Sequence, residues 1–163
     1  MIEKTHPANE VTDKIIGAAI EVHRQLGPGL LESAYEECLC HELTRRGVGF
    51  RRQVHLPINY KGLKLDCGYR MDLVAEDAVV VEIKAIETLL PIHSAQLLTY
   101  LKSSGKQVGL LINFNETALK HGLKRIVNRY TGPPPEPLNP PRPTPRLRVS
   151  AVNNGAASKK EPR

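Results

Sequence analysis

The run Val79-Val80-Val81-Glu82-Ile83-Lys84-Ala85-Ile86 constrains this chain more than any other segment. It is short, β-branched and apolar enough to read as a central strand of a sheet. Recognisable elements precede it. Ile15, Ala19, Val22 and Leu26 recur at helical spacing, and Gly27-Pro28-Gly29 stops that helix. A second helix is expected from about Leu31 to Arg46, with Leu31, Tyr35, Cys38 and Glu42 on one stripe and Gly47 past its end. Phe50, Val54, Leu56, Ile58 and Tyr60 then alternate with polar residues as one strand, and Lys61-Gly62 suits a two-residue hairpin turn. Such a turn sets Tyr60 opposite Leu63, Ile58 opposite Leu65 and Leu56 opposite Cys67. The returning strand passes a bend at Gly68 and continues through Tyr69, Met71 and Leu73.

Beyond the central run, Pro91 fits the first turn of a helix that ends at Ser104, with Gly105 as its stop. Val108 to Phe114 reads as a strand. Thr117 to Arg129 reads as a closing helix on Leu119, Leu123, Ile126 and Val127. Two helices, three antiparallel strands, a crossover helix, a strand and a helix make a mixed α/β (α+β) domain with a small sheet.

The chain has 163 residues, room for one domain and a tail. Residues 1–130 carry 17 Lys/Arg against 15 Asp/Glu, whereas residues 131–163 carry 6 against 2, so most of the net +6 lies in the tail. Nine of the 13 prolines lie between Pro133 and Pro162. That segment has too little apolar area to offset its ordering entropy, and 131–163 is expected to be a disordered basic tail. It is expected to be a solubilising extension or, functionally, an electrostatic arm for nucleic acid or a proline-motif ligand. With 4% aromatic residues and no Trp, an extended stacking platform for single strands is not expected. Cys38, Cys40 and Cys67 form no CxxC pair, which argues against a disulfide framework or a cysteine zinc site. Met1 to Asn9 lacks the apolar stretch of a secretory signal, and no run reaches the ~20 apolar residues of a membrane span. The expected location is the cytoplasm, with no membrane partner.

Glu82 and Lys84 share one face of the central run, with Ile83 on the other. Charged groups there carry a desolvation cost unless they are paired or bind a metal. A strand-end ion pair emerging into water would account for them alone. Asp72, ten residues earlier on the neighbouring strand, changes the reading. Two carboxylates and a lysine on adjacent strands suit a hard divalent cation and a phosphate. Parity decides whether they can meet. If Glu76-Asp77 were a two-residue turn, Asp72 would oppose Val81 and Glu82 would face away. An odd loop, Glu76-Asp77-Ala78, or a bulge is therefore expected. On the next helix His93, Gln96 and Tyr100 share a face. Glu32 lies in the first turn of the second helix, where the dipole alone would favour it.

Asp72, Glu82-x-Lys84 and Gln96-x-x-x-Tyr100 together resemble the core of the PD-(D/E)XK nuclease superfamily in its RecB-like form. Gly29-x-x-Glu32-x-x-Tyr35 and Leu110-Leu111-Ile112-Asn113-Phe114 resemble the GxxExxY family within it. The similarity spans about Ile15 to Tyr130. The proline of the superfamily's name is replaced, since Met71 precedes Asp72. The resemblance implies a restriction-endonuclease-like α-β-β-β-α-β core and metal-dependent cleavage of a nucleic-acid phosphodiester, DNA ahead of RNA. It implies Mg²⁺ (or Mn²⁺) held by Asp72, Glu82 and the Ile83 carbonyl, with Glu32 completing the shell directly or through water. Lys84 would orient the attacking water or stabilise developing charge. Gln96, Tyr100 and His93 would position the substrate. Two alternatives remain open: a non-catalytic module that binds nucleic acid or protein, and a hydrolase of a small phosphorylated substrate.

Overall fold

Strand β5 (Val79–Lys84) is the middle strand of a five-stranded sheet and is buried from Val79 to Ile83. The computed structural model describes residues 7–129, so the expectation for the basic tail at 131–163 lies outside the described residues. The sheet order is β1 (Phe50–His55), β4 (Arg70–Ala75), β5, β6 (Val108–Asn113) and β7 (Leu123–Val127). β5 and β6 run parallel, joined by helix α3 (Pro91–Ser104), and the other neighbours pair antiparallel. Helices α1 (Pro7–Leu26) and α2 (Glu32–Arg45) cover one face, where Ile15, Tyr35, Leu39 and Leu43 pack on Leu73, Val81, Ile83 and Leu110. α3 covers the other, with Leu97, Tyr100 and Leu101 on Val74, Val80 and Leu111. The result is a three-layer restriction-endonuclease-like architecture.

The ends of α3 follow local chemistry. Pro91 needs no amide partner in the first turn, and Gly105 takes the left-handed conformation (φ 70°) that a side chain would resist. On α2 the buried stripe is Tyr35, Leu39, Cys40 and Leu43 together with Glu36. Leu31, expected on that stripe, is 77% exposed. Only Tyr35 of the expected stripe is fully buried, because α2 is rotated to set Leu39 and Leu43 against α1 and the sheet.

The strand expected from Phe50 to Tyr60 is divided at Leu56-Pro57. β1 stays in the main sheet, and β2 (Ile58–Tyr60) pairs with β3 (Leu63–Leu65) as a separate two-stranded sheet. Tyr60 opposes Leu63 and Ile58 opposes Leu65 across Lys61-Gly62, both at positive φ as a type I′ turn requires. The ladder ends there: Leu56 donates its amide to the Tyr69 carbonyl and does not pair with Cys67.

The expected closing helix is absent from the described residues. A 3-10 turn at Leu119–His121 leads instead into β7, antiparallel to β6. Leu123 packs with the α1/α2 core and Ile126 with the α3 core. Three residues apart, they lie on opposite faces of a strand, whereas a helix would bring them together. β7 covers the otherwise open edge of β6.

Candidate active site

Register builds the site. Ala75 pairs with Val79, Val74 with Val80 and Leu73 with Val81, so the hairpin loop is Glu76-Asp77-Ala78. The odd loop is closed by the Ala78 amide on the Ala75 carbonyl (2.9 Å), with Glu76 and Asp77 both at positive φ. One step further, Asp72 stands opposite Glu82 on the α3 face of the sheet. Asp72 Oδ2 accepts the Ile83 amide at 2.8 Å, and Glu82 Oε1 faces the Asp72 amide at 3.4 Å. Lys84 Nζ lies 3.5 Å from Glu82 Oε2, with 16% of the lysine side chain exposed and 4% of the glutamate.

The electrostatics are those of two carboxylates sharing one buried place. Burial first, and the Asp72 charge second, push the Glu82 carboxyl up to about 8, against a smaller opposing effect of Lys84. Asp72 is also raised, mainly by burial, with the Ile83 amide and Lys84 acting the other way. Tyr100 completes the picture from α3. Its phenol is raised by burial and then by Glu82, and its oxygen accepts a hydrogen bond from Gln96 Nε2 at 2.8 Å. Tyr100 is thus near enough to Glu82 and Asp72 to feel their charges, and Gln96 reaches Tyr100 from the same face of α3.

His93 is used differently. Its Nδ1 accepts the Leu90 amide at 2.9 Å, which caps the start of α3. Glu32 reaches the end of β5 from the other layer, where Oε1 accepts the Ala85 amide at 3.2 Å. Its charge is felt at Asp72. Among the described residues no group of three or more His, Cys, Asp or Glu is close enough to hold a metal ion. Glu32 is therefore not gathered with Asp72 and Glu82 into one three-carboxylate shell. The Asp72–Glu82 pair nonetheless fits a hard divalent cation. Its donors are carboxylate oxygens, and their mutual repulsion is incompletely balanced by Lys84.

Three features near this pair have no individual role assigned from the sequence. Glu36, 8% exposed, accepts from Arg52 Nε (2.9 Å) and Gln53 Nε2 (2.8 Å), and its charge reaches Asp72. Its spacing of four from Glu32 on one helix was the available signal. Gln53 itself has a φ of 47°, and the β1–β4 ladder skips it, pairing Arg52 with Leu73 and Val54 with Met71. A non-glycine residue at positive φ costs roughly 1 kcal/mol or more, and here the strain sits directly across from Asp72.

Asn113 is the third. Fully buried at the end of β6, it accepts the Ile86 amide (3.1 Å) and donates to the Ile86 carbonyl (2.9 Å), while Phe114 donates to the Lys84 carbonyl (2.8 Å). These bonds fix the chain just after Lys84. Asn113→Ala removes two hydrogen bonds to partly buried Ile86 groups and is expected to cost about 1–3 kcal/mol. Urea unfolding checks it; a midpoint within error of the wild type would contradict it. The Gly29/Tyr35 turn supports the same region. Gly29 has φ 103°, and the Tyr35 hydroxyl donates to the Gly27 carbonyl (2.6 Å) and accepts from the Leu30 amide (3.1 Å). Its ring stacks on Phe114 with centroids 4.5 Å apart.

No helix of the described residues is long and apolar enough to cross a membrane. Neither a curated protein nor a solved structure matches the chain significantly. A family model described as the PD-(D/E)XK nuclease superfamily matches residues 9–126, well over half of the chain. That span contains the carboxylate hairpin, Lys84 and the Gln96/Tyr100 helix face, and the chain belongs to the PD-(D/E)XK nuclease superfamily.

Proposed function

We propose that this protein is a divalent-cation-dependent nuclease whose site is Asp72, Glu82 and Lys84. The observation that carries the reading is the register: a three-residue loop sets Asp72 opposite Glu82, with Lys84 following on the same face. Asp72, Glu82 and the Ile83 carbonyl would hold Mg²⁺ or Mn²⁺, and Glu32 would act on it through water. When bound, the cation supplies Lewis acidity, polarising the scissile phosphate and lowering the pKa of a coordinated water. Hydrolysis adds water to phosphorus, breaks one P–O ester bond and passes a proton to the leaving oxygen. Lys84 orients that water or stabilises the charge that develops on the phosphate oxygens. Gln96 and Tyr100 hold the substrate beside Lys84, while His93 secures the start of their helix. The Gly29, Glu32 and Tyr35 arrangement supports the narrower placement in the GxxExxY family. DNA is the preferred partner in this reading, and the cell interior the preferred place.

The test is incubation of the purified protein with Mg²⁺ or Mn²⁺ and linear, circular, single-stranded and RNA substrates. Cleavage that EDTA abolishes, and that Asp72→Ala lacks, is expected. Nucleic-acid binding without any cleavage would favour the non-catalytic module instead.

A further inference from the structure

The β2–β3 hairpin stands away from the main sheet and faces α3, and between them lies a cavity of about 490 Å³. Ile58, Leu65, Tyr69, Ile92, Gln96 and Tyr100 are among its walls, and no Asp, Glu, Lys, Arg or His lines it. This volume lies in the range of pockets that take a small organic ligand. We propose that the cavity receives an unpaired nucleobase adjacent to the scissile phosphate, so that the substrate is single-stranded or splayed nucleic acid. The proposal rests on the nuclease reading and names its substrate class.

Position, charge and shape argue for this occupant. Tyr100 is both a wall of the cavity and a neighbour of the carboxylate pair, whose charges act on its phenol. A group in the cavity is thus close to whatever phosphate Lys84 faces. An uncharged lining suits a neutral base and offers no positive charge to a second phosphate. Tyr69 stands edge-on to Tyr100, with centroids 6.4 Å apart at 62°, and is 46% exposed, so one ring surface is open for stacking. Gln96 uses one N–H on the Tyr100 oxygen and retains an acceptor and a second donor for a base edge. A base in a duplex cannot enter such a cavity without leaving its stack, which an unpaired nucleotide does at little cost. Few aromatic residues exclude an extended platform, but one base requires only one ring.

The experiment measures fluorescence anisotropy with Mg²⁺ in a Lys84→Ala background, which retains the cavity while suppressing cleavage. A labelled single strand, the same strand with abasic sites, and its blunt duplex are compared. The normal strand should bind about 10-fold tighter than the abasic strand or the duplex, the loss expected for one stacked base. Tyr69→Ala, and independently Ile92→Ala, should remove that difference; both side chains are well exposed, so the fold tolerates their truncation. Equal binding of normal and abasic strands, or an undiminished preference in both variants, overturns the proposal. Cleavage by the protein with Lys84 intact is assayed in parallel. If cleavage occurs while base preference is missing, the pocket assignment alone falls. If base preference is present and no substrate is cut, the nuclease reading falls and the pocket stands.

Discussion

Lys84→Ala is expected to lower metal-dependent cleavage by about 10²–10³-fold, the usual loss when one preorganised donor to a developing oxyanion is removed. Lys84 ends β5 with its ammonium 3.5 Å from Glu82 and most of its side chain buried, so water screens it poorly. Removing one partner of a buried ion pair ordinarily endangers the fold. Here the cost is limited, because burial and Asp72 already raise the Glu82 carboxyl to about 8 and it holds a proton near neutrality. The variant should therefore fold, and its circular dichroism and thermal midpoint near pH 7 serve as controls. Lys84→Arg should recover little of the rate, since a planar fork does not replace a compact ammonium. Initial rates on the best substrate decide the matter. Cleavage by Lys84→Ala at the wild-type rate would remove Lys84 from the chemistry.

What could be read from the sequence was governed by how local the deciding interactions are. The Lys61-Gly62 turn and the Pro91 and Gly105 boundaries of α3 depend on one or two residues, and all occur as their chemistry predicts. The Asp72–Glu82 register was legible because parity leaves only two outcomes, and only one keeps both carboxylates on one face. β7 was not legible. Leu119, Leu123, Ile126 and Val127 fit a helical period, and what overrides it is the free edge of β6, a partner no short window contains. Glu36 was hidden for a related reason. It lies on the buried stripe of α2, but its partners Arg52 and Gln53 come from another element, so nothing in the helix pattern says what compensates its charge. Likewise the alternation from Phe50 to Tyr60 hid the division at Pro57, and where the hairpin leans, and hence the cavity against α3, depends on α3 itself.

In EDTA the wild-type protein should lose stability as pH rises from about 4.5 to about 8, the reverse of the usual carboxylate contribution. The sign follows from linkage. Glu82 has an ordinary value of 4.5 when unfolded and about 8 when folded, so the folded state binds the proton more tightly. Its contribution is fully present below the unfolded value, fades through the interval and is gone above the folded value. Asp72, raised in the same direction, adds to the trend. At about 1.4 kcal/mol per pH unit, discounted for coupling between the two carboxyls, the loss is on the order of 3–5 kcal/mol. Glu82→Gln keeps the shape and cannot ionise, so most of this slope should vanish. At pH 8.5 without metal the variant should be the more stable protein, while it should lose cleavage because a carboxylate ligand is gone. Added Mg²⁺ should restore stability to the wild type at high pH, by binding the charged pair, and do little for the variant. Urea midpoints from pH 5 to 9, with and without Mg²⁺, measure all of this. A flat metal-free profile, or an equal Mg²⁺ effect on both proteins, would show that Asp72 and Glu82 do not form the coupled, cation-seeking pair their register creates.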